Sequence, residues 1–553
     1  VSSLRQIAEP FVAAAPAGAR VRTRIAADDR DDLVLRALGV YLGMLMSGDL
    51  AARCAQRRLT GPGRARSRQQ RKQELTGGAS SRWAGAITRT SDDAWNLGER
   101  NLIAEARSLR ARVRRIDQRL AVPVGEKQGP QHGYASQAER WAKQQRVGRL
   151  RARLAEVEAR LQTGRVSVCR GGRRLARVRH NLDAAKLTEA QWRERWESER
   201  WFITADGETD ALWGNQTIRW HPTERWVELK LPAPLAYLAN RPHGRYRLSQ
   251  PVQWPHRGDE VAAQAQSGAV RYDITHNAER GRWYIDASWR IAPGPPPTLG
   301  MLRERPVLAV DLNHDHLAAW AVTPDGNPVG PPVTIPLALA GLPASQRDGR
   351  VRAAISELIR LAAAHHCLAI VIENLNFADA REQGRENRGR RPARGKRGKN
   401  FRRLVAGIPT ARFRDRLAQM TCNAGLAVIV VDPAYTSRWG REHWLTPLQN
   451  QTSPTAPRPQ VHHAAAVVIG RRAHGYRART RCAPREPEDS RGRATRPPHP
   501  RTGTPGFVSP HEAERQTRLG QKTVKAERIR PPIQAAQDRS GSPTEQDSLL
   551  LSA

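Results

Sequence analysis

Asp311 and Glu373 are the two acidic residues best placed to do chemistry. Each closes a run of four or five apolar residues: Val307-Leu308-Ala309-Val310 before the aspartate, Leu368-Ala369-Ile370-Val371-Ile372 before the glutamate. Short apolar runs of this kind read as buried strands. A carboxylate at the end of such a strand is held rigidly at a sheet edge, where it can ligate a divalent ion. Two-metal hydrolysis of a phosphodiester needs two or three such groups converging on Mg²⁺ ions roughly 4 Å apart. The plainer reading of each residue alone is a cap for the next element, so the pair has to be judged with the elements around it.

Those elements form an alternating series from residue 305 to about 478. Pro306 to Val310 is a strand and Leu317 to Val322 its hairpin partner, closed by Asp325-Gly326. Arg350 to Ala364 is helical and leads to the Leu368–Ile372 strand. Ile408 to Cys422 reads as another helix, Leu426 to Val431 as a strand ending at Asp432, and Val461 to Ala473 as a last helix. Upstream, residues 168–300 carry short strand-like runs at Trp226–Leu231, Tyr246–Trp254, Val270–Thr275 and Trp283–Ile291. Seven of the fifteen tryptophans fall between Trp201 and Trp289, and we expect them to fill a barrel or sandwich interior. From about 95 to 167 the apolar residues step by four and three: Leu102, Ala106, Leu109, Val113, Ile116 and Leu120, then Val147, Leu150, Leu154, Val157 and Leu161. With a Gly/Pro-rich stretch between them, this predicts two long helices folded back as a hairpin. Residues 1–94 read as a partly helical N-terminal region. Residues 480–553 are rich in Arg, Pro, Ser and Gly without period and are predicted to be a disordered basic tail.

Charge narrows the function classes. The 553 residues hold 92 Lys and Arg against 53 Asp and Glu, a net +39, and only nine of the cations are lysines. Arginine is the better phosphate fork, so the chain reads first as a polyanion binder. On the helical hairpin Arg112, Arg115 and Arg153 are candidate phosphate contacts. The basic linker from Asp379 to Arg403 has eleven Lys and Arg against three acids. Because it springs from the Glu373 strand, Arg388, Arg390, Arg391, Arg394, Lys396, Arg397, Lys399, Arg402 and Arg403 are expected to grip nucleic acid near the metal. No stretch approaches about 18 uninterrupted apolar residues, which argues against a membrane partner. The N-terminus lacks a signal-peptide core. The five cysteines contain no CxxC, which predicts neither a disulfide framework nor a cysteine zinc site, and with it a reduced, cytoplasmic, nucleoid-associated location.

Taken together, the segments resemble the TnpB family of transposon-encoded, RNA-guided nucleases, relatives of type V CRISPR effectors. Val307-Leu308-Ala309-Val310-Asp311-Leu312-Asn313 with His316-Leu317-Ala318 is similar to the family's first RuvC segment, and Val371-Ile372-Glu373-Asn374-Leu375 to its second. Asp432-Pro433-Ala434-Tyr435-Thr436-Ser437 resembles the signature that enters the family's zinc ribbon, and His462-His463-Ala464-Ala465-Ala466 stands in the place of the third segment. The resemblance covers residues 305–478 and extends more loosely upstream, to a recognition lobe and a wedge domain.

Three departures stand out. Asn313 replaces a usual glycine. Arg438-Trp439-Gly440 follows where a CxxC would begin, so no structural zinc is expected. The third acid's position is occupied by His462, or by Ala465 in the register of RuvC-type relatives that carry two histidines before the acid. An imidazole can ligate a divalent ion or accept a proton but supplies no negative charge, which predicts weaker Mg²⁺ binding and a leaning toward Mn²⁺. Asp432 is expected in a turn and Asp315 in a hairpin loop.

The resemblance therefore implies an α+β chain: a helical lobe, a β-rich wedge over 168–300, and an RNase H-like (RuvC) mixed-sheet domain over 301–479. Its catalytic and metal-binding residues would be Asp311, Glu373 and His462, and its partners a guide RNA and target DNA. The alternatives are a nuclease-dead RNA-guided DNA binder and a guide-free nucleic-acid-binding protein.

Overall fold

A computed structural model describes residues 6–129, 131–292, 294–375, 410–453 and 457–478. They fall into two compact units: residues 18–291, and residues 6–17 with the described residues from 292 to 478. The expected tail and basic linker lie outside the described residues.

The chain starts with a two-residue strand, β1 (Phe11–Val12), that belongs to the second unit. The first unit opens on β2 (Gly18–Ile25), whose Ala19, Val21, Thr23 and Ile25 are buried while Arg20, Arg22 and Arg24 face outward, the period of two that a half-buried strand requires. Helix α1 (Asp29–Ala55) is capped by Asp28, which accepts the Asp31 amide at 2.7 Å. Its Leu35, Leu38, Leu42 and Met46 enter the core at helical spacing. By length and mean hydropathy α1 is the one described helix that would suffice to cross a membrane, yet half of that stretch is buried inside the protein.

Three further helices follow: α2 (Gly61–Thr76), α3 (Ser81–Leu120) and α4 (Gln137–Thr163). The predicted hairpin is α3 against α4. Leu102, Ala106, Leu109 and Ile116 are buried on one helix, Val147 and Val157 on the other. Helix α3 begins well before residue 95, because Ser80 caps it by accepting the Trp83 amide. The chain closes this unit with β3 (Arg271–Asn277) and β4 (Arg282–Arg290), an antiparallel hairpin formed from two of the strand-like runs. Strand β4 also pairs antiparallel with β2 along its length. A separate three-stranded sheet joins Ile218–Trp220, Val227–Lys230 and Arg245–Arg247. Of the seven tryptophans between Trp201 and Trp289, Trp220, Trp254 and Trp283 are buried in the core, Trp201 and Trp289 pack against it partly buried, and Trp213 and Trp226 are partly buried.

The second unit is built on one mixed sheet. Its strands are β5 (Val307–Leu312), β6 (His316–Val322), β7 (Pro328–Pro336), then, beyond helix α5 (Ala344–Ala364), β8 (Ala369–Glu373), and after helix α6 (Thr410–Asn423), β9 (Ala427–Val431). The order across the sheet is β1-β9-β8-β5-β6-β7. Strands β5, β8 and β9 run parallel, while β6, β7 and β1 pair antiparallel to their neighbours. Alternate residues serve opposite faces. Leu308, Val310, Ile370, Ile372, Val428 and Val430 pack on Ile355 and Leu358 of α5 and Phe413 and Leu417 of α6. Val307, Ala309, Val371 and Ile429 pack on the buried Ala464–Ile469 stretch of helix α7 (Val461–Ala473). Burial on both faces explains the continuous apolar runs in the sequence. This mixed sheet with helices on both sides is consistent with the RNase H-like arrangement expected of the chain.

Candidate catalytic site

Strands β5 and β8 are parallel neighbours, with Ala309 opposite Val371. Their carboxyl ends therefore open at the same edge of the sheet, the position where ligands bind in open parallel sheets. Asp311 lies one residue from the end of β5 and Glu373 is the last residue of β8. His462 is in the first turn of α7, which crosses the face beneath β5. The structure thus joins His462 to Asp311 and sets Glu373 on the adjacent strand.

His462 Nδ1 lies 2.8 Å from Asp311 Oδ2. A carboxylate oxygen only accepts, so Nδ1 carries the hydrogen and Nε2 is left to exchange protons or bind an ion. The hydrogen bond and charge of Asp311 raise the imidazole above its ordinary value against the opposing effect of burial. Asp311 is 4 % exposed; the His462 side chain is 41 % exposed, so it opens the pair to solvent. Asn313, at the former glycine position, donates from Nδ2 to the same Asp311 Oδ2 at 3.1 Å.

Glu373 is a strongly perturbed carboxyl. Burial and the Asp311 carboxylate push it up to about 8, while the Thr436 hydroxyl and Arg472 pull it down. Thr436 Oγ1 donates to Glu373 Oε1 at 2.5 Å. Arg472, buried on α7, is fixed by the carbonyls of Asp432 and Ala434, the latter at 2.7 Å. Thr436, Arg472 and Asn313 are site residues that sequence reasoning missed. Thr436 sits inside a motif that had been singled out, so its signal was present. Arg472 carried none, since a cation in the last turn of a helix ordinarily serves the helix dipole.

His463, one residue on, is turned into the protein. Its Nδ1 accepts the Gln460 amide at 3.1 Å and its Nε2 meets Thr334 Oγ1 at 2.8 Å. Burial lowers its pKa. Both nitrogens are spent, as the 100° step around a helix requires of a neighbour to His462. Asp432 accepts the Ala434 amide at 2.9 Å and the Ala8 amide at 3.0 Å, a turn carboxylate. Asp315 lies in the β5–β6 turn, half-exposed and bonded to His316 Nδ1 at 2.7 Å. Where a CxxC would begin, the chain instead forms helical turns from Thr436 to Gln451. They pack so closely on α7 that a Cβ on Gly440 would come within 2.6 Å of the Ala465 nitrogen.

Among the described residues, no group of three or more His, Cys, Asp or Glu is arranged to hold a metal ion. The donor chemistry still fits a divalent cation at Asp311 and Glu373. Two adjacent carboxylates, one of them pushed up to about 8 by burial and the other's charge, are in the condition that a cation between them reverses.

Of the proposed nucleic-acid contacts, those from Arg388 to Arg403 lie outside the described residues. Arg112 and Arg115 are partly buried on α3. Arg153 links the two helices of the hairpin through Nε to Glu105 at 3.0 Å, and its Nη1 bonds Glu156 on its own helix at 2.8 Å.

No protein-family model matches the chain, and no curated protein matches it. Among solved structures it is similar to Thermus thermophilus RuvC in complex with a Holliday junction substrate, at 17 % identity over 30 % of this chain and 91 % of that one, with a TM-score of 0.21. A second Thermus thermophilus RuvC structure is 15 % identical over 31 % of this chain and 92 % of that one, at 0.20. A CRISPR-Cas12f ternary complex is 10 % identical over 67 % and 81 %, at 0.19. No function follows from likeness at that level.

Proposed function

We propose that the chain is a divalent-metal-dependent endonuclease of nucleic acid, and within that class an RNA-guided DNA endonuclease of a transposable element. The observation that carries the first part is the meeting of Asp311 and Glu373 at the ends of adjacent parallel strands, with His462 bonded to Asp311. Asp311 and Glu373 would hold the cation, Mg²⁺ or Mn²⁺, which when bound supplies positive charge at the scissile phosphate and acidifies an attacking water. His462 is oriented by Asp311 through Nδ1 and exchanges the proton at Nε2. Thr436 holds the Glu373 carboxyl through its hydroxyl, and the charge of Arg472 opposes the rise in its pKa. The guide and the transposon origin are supported by the order of the sequence segments alone; base pairing would then read the target.

The test is a nicking assay on supercoiled DNA with the copurified nucleic acid retained, with and without Mg²⁺, alongside sequencing of any RNA that travels with the protein. Metal-dependent cleavage with a discrete RNA species supports the full reading. Cleavage without RNA leaves the nuclease and removes the guide. RNA without cleavage supports the second reading, a nuclease-dead guided binder, which the missing third acid favours: its position holds His462, or in the other register Ala465, which is fully buried.

A further inference from the structure

We propose that Asn313 and His316 are positioning residues for Asp311: they keep its Oδ2 on the His462 imidazole, so that Oδ1 alone is presented to the cation. The proposal deepens the nuclease reading above and rests on its placing of a divalent cation at Asp311 and Glu373.

The turn that follows β5 supplies both side chains. Strand β5 ends at Leu312 and β6 begins at His316, and the Asn313 amide closes the turn by donating to the His316 carbonyl at 3.0 Å. Backbone makes that bond, so the two side chains are left for another task. Asn313 Nδ2 lies 3.1 Å from Asp311 Oδ2 and 3.4 Å from His316 Nε2. A carboxylate oxygen only accepts, so the Asn313 group facing Asp311 is its nitrogen and not its oxygen. The same nitrogen then meets His316 Nε2, which must be an acceptor, and the ring hydrogen sits on Nδ1. Asp315 supports that tautomer, since its Oδ1 lies 2.7 Å from His316 Nδ1. One chain of hydrogen bonds therefore joins Asp315, His316, Asn313 and Asp311.

At the end of this chain both lone pairs of Asp311 Oδ2 are taken. It accepts from His462 Nδ1 at 2.8 Å and from Asn313 Nδ2 at 3.1 Å. Among the described residues no donor reaches Oδ1. The His316 ring also stands edge-on to the His462 ring, with centroids 5.1 Å apart and planes at 74°. One side chain thus backs both groups that occupy Oδ2. Without the Asn313 donor, the carboxyl is free to turn about its Cβ–Cγ bond and offer both oxygens to an ion. Mg²⁺ demands near-octahedral geometry, whereas Ca²⁺ accepts carboxylates through one oxygen or two. A single presented oxygen therefore favours the smaller ion.

The experiment reads ion binding by the full chain without nucleic acid. Mn²⁺ is followed by the electron paramagnetic resonance of the free ion, and Mg²⁺ and Ca²⁺ by competition against it. Asn313→Ala and His316→Ala should each weaken Mn²⁺ and Mg²⁺ by about 10–100-fold, the usual effect of removing a group that orients a ligand, and Ca²⁺ by less. His316→Gln should restore most of the loss, because its side-chain oxygen reaches the place of Nε2 and accepts from Asn313. Equal losses for all three ions, or His316→Gln as weak as His316→Ala, are what general damage to the turn produces, and either overturns the proposal. Asp311→Ala separates the positioning role from the reading beneath it. Mn²⁺ binding lost in Asp311→Ala but kept in Asn313→Ala removes the positioning role alone. Mn²⁺ binding kept in both removes the cation from Asp311, and the proposal with it.

Discussion

Asp311 bonds His462 and its charge raises Glu373, and each of the three makes a separate prediction. Asp311→Ala and Glu373→Ala should each abolish metal-dependent cleavage and leave nucleic-acid binding nearly intact, because on the proposed reading they would hold the cation rather than the nucleic-acid backbone; an equal loss of binding in a filter or polarisation assay would make them structural. His462→Ala should remove cleavage, since the site then loses its proton-exchanging Nε2. His462→Asp should retain or raise it by restoring negative charge, with Mg²⁺ then favoured over Mn²⁺. Undiminished cleavage by His462→Ala would show that the imidazole has no part in the chemistry. His463→Ala should lower stability instead, because both its nitrogens serve the fold. Glu373 adds a pH dependence. Its folded pKa of about 8 exceeds the ordinary 4.5, so its contribution to stability is complete below the ordinary value and lost as pH rises through about 8. Melting temperatures in EDTA should therefore fall more steeply over that window for wild type than for Glu373→Gln, and Mg²⁺ should shrink the difference. Parallel curves for the two proteins would mean that Glu373 titrates normally.

Elements in the two units are held by different forces. The β5–β8–β9 sheet is buried on both faces and owes its stability to area removed from water. Helix α2 owes its position to Arg71, so Arg71→Ala leaves Asp49 buried without its partner, with Asp92 held by Arg53, and should cost about 3–5 kcal/mol. Arg153→Ala breaks one partly exposed pair across the hairpin, with Glu105, and one with Glu156 on its own helix, and should cost less than about 1 kcal/mol. Urea unfolding followed by circular dichroism checks both, and comparable losses would mean that the α2 clamp is not what fastens the helix. Strand β7 shows a further device. It carries four prolines between Pro328 and Pro336 and is tolerated because it lies at the sheet edge, where the missing amides need no neighbour.

For the whole molecule, a net +39 must be balanced by bound anions. Binding to duplex DNA should weaken steeply with salt, each neutralised phosphate adding about 0.9 to the slope. A nearly flat response in a titration series would mean that the arginines are satisfied within the protein. Part of them are: Asp286 is buried between Arg20 and Arg22, at 2.8 and 2.6 Å, and although burial favours its neutral form, the two guanidinium groups hold its carboxyl below the usual range. Net charge alone therefore overstates the number of free cations.

The sequence by itself determined the strands that carry the site and the helix that crosses them. Val307–Val310, Leu368–Ile372 and Leu426–Val431 are apolar at every position, a pattern that survives without knowledge of any partner because both faces of those strands are buried. For the same reason Asp311 and Glu373 could be read as strand-end carboxylates, and the fixed order of segments located His462. Strand β7 was hidden by its prolines, and β1 by its length, since two residues pairing with Val430 and Ile429 leave no local period. Only the tertiary structure decided that Asp311 binds His462, that Thr436 bonds Glu373 with the charge of Arg472 nearby, and which arginines are spent on acids. Each of these depends on groups brought together from distant parts of the chain: Asp311 and His462 are 151 residues apart, and whether an arginine is spent or available depends on an acid carried by another helix. A pairing of that kind has no period and no spacing, so it exists only once the elements have packed.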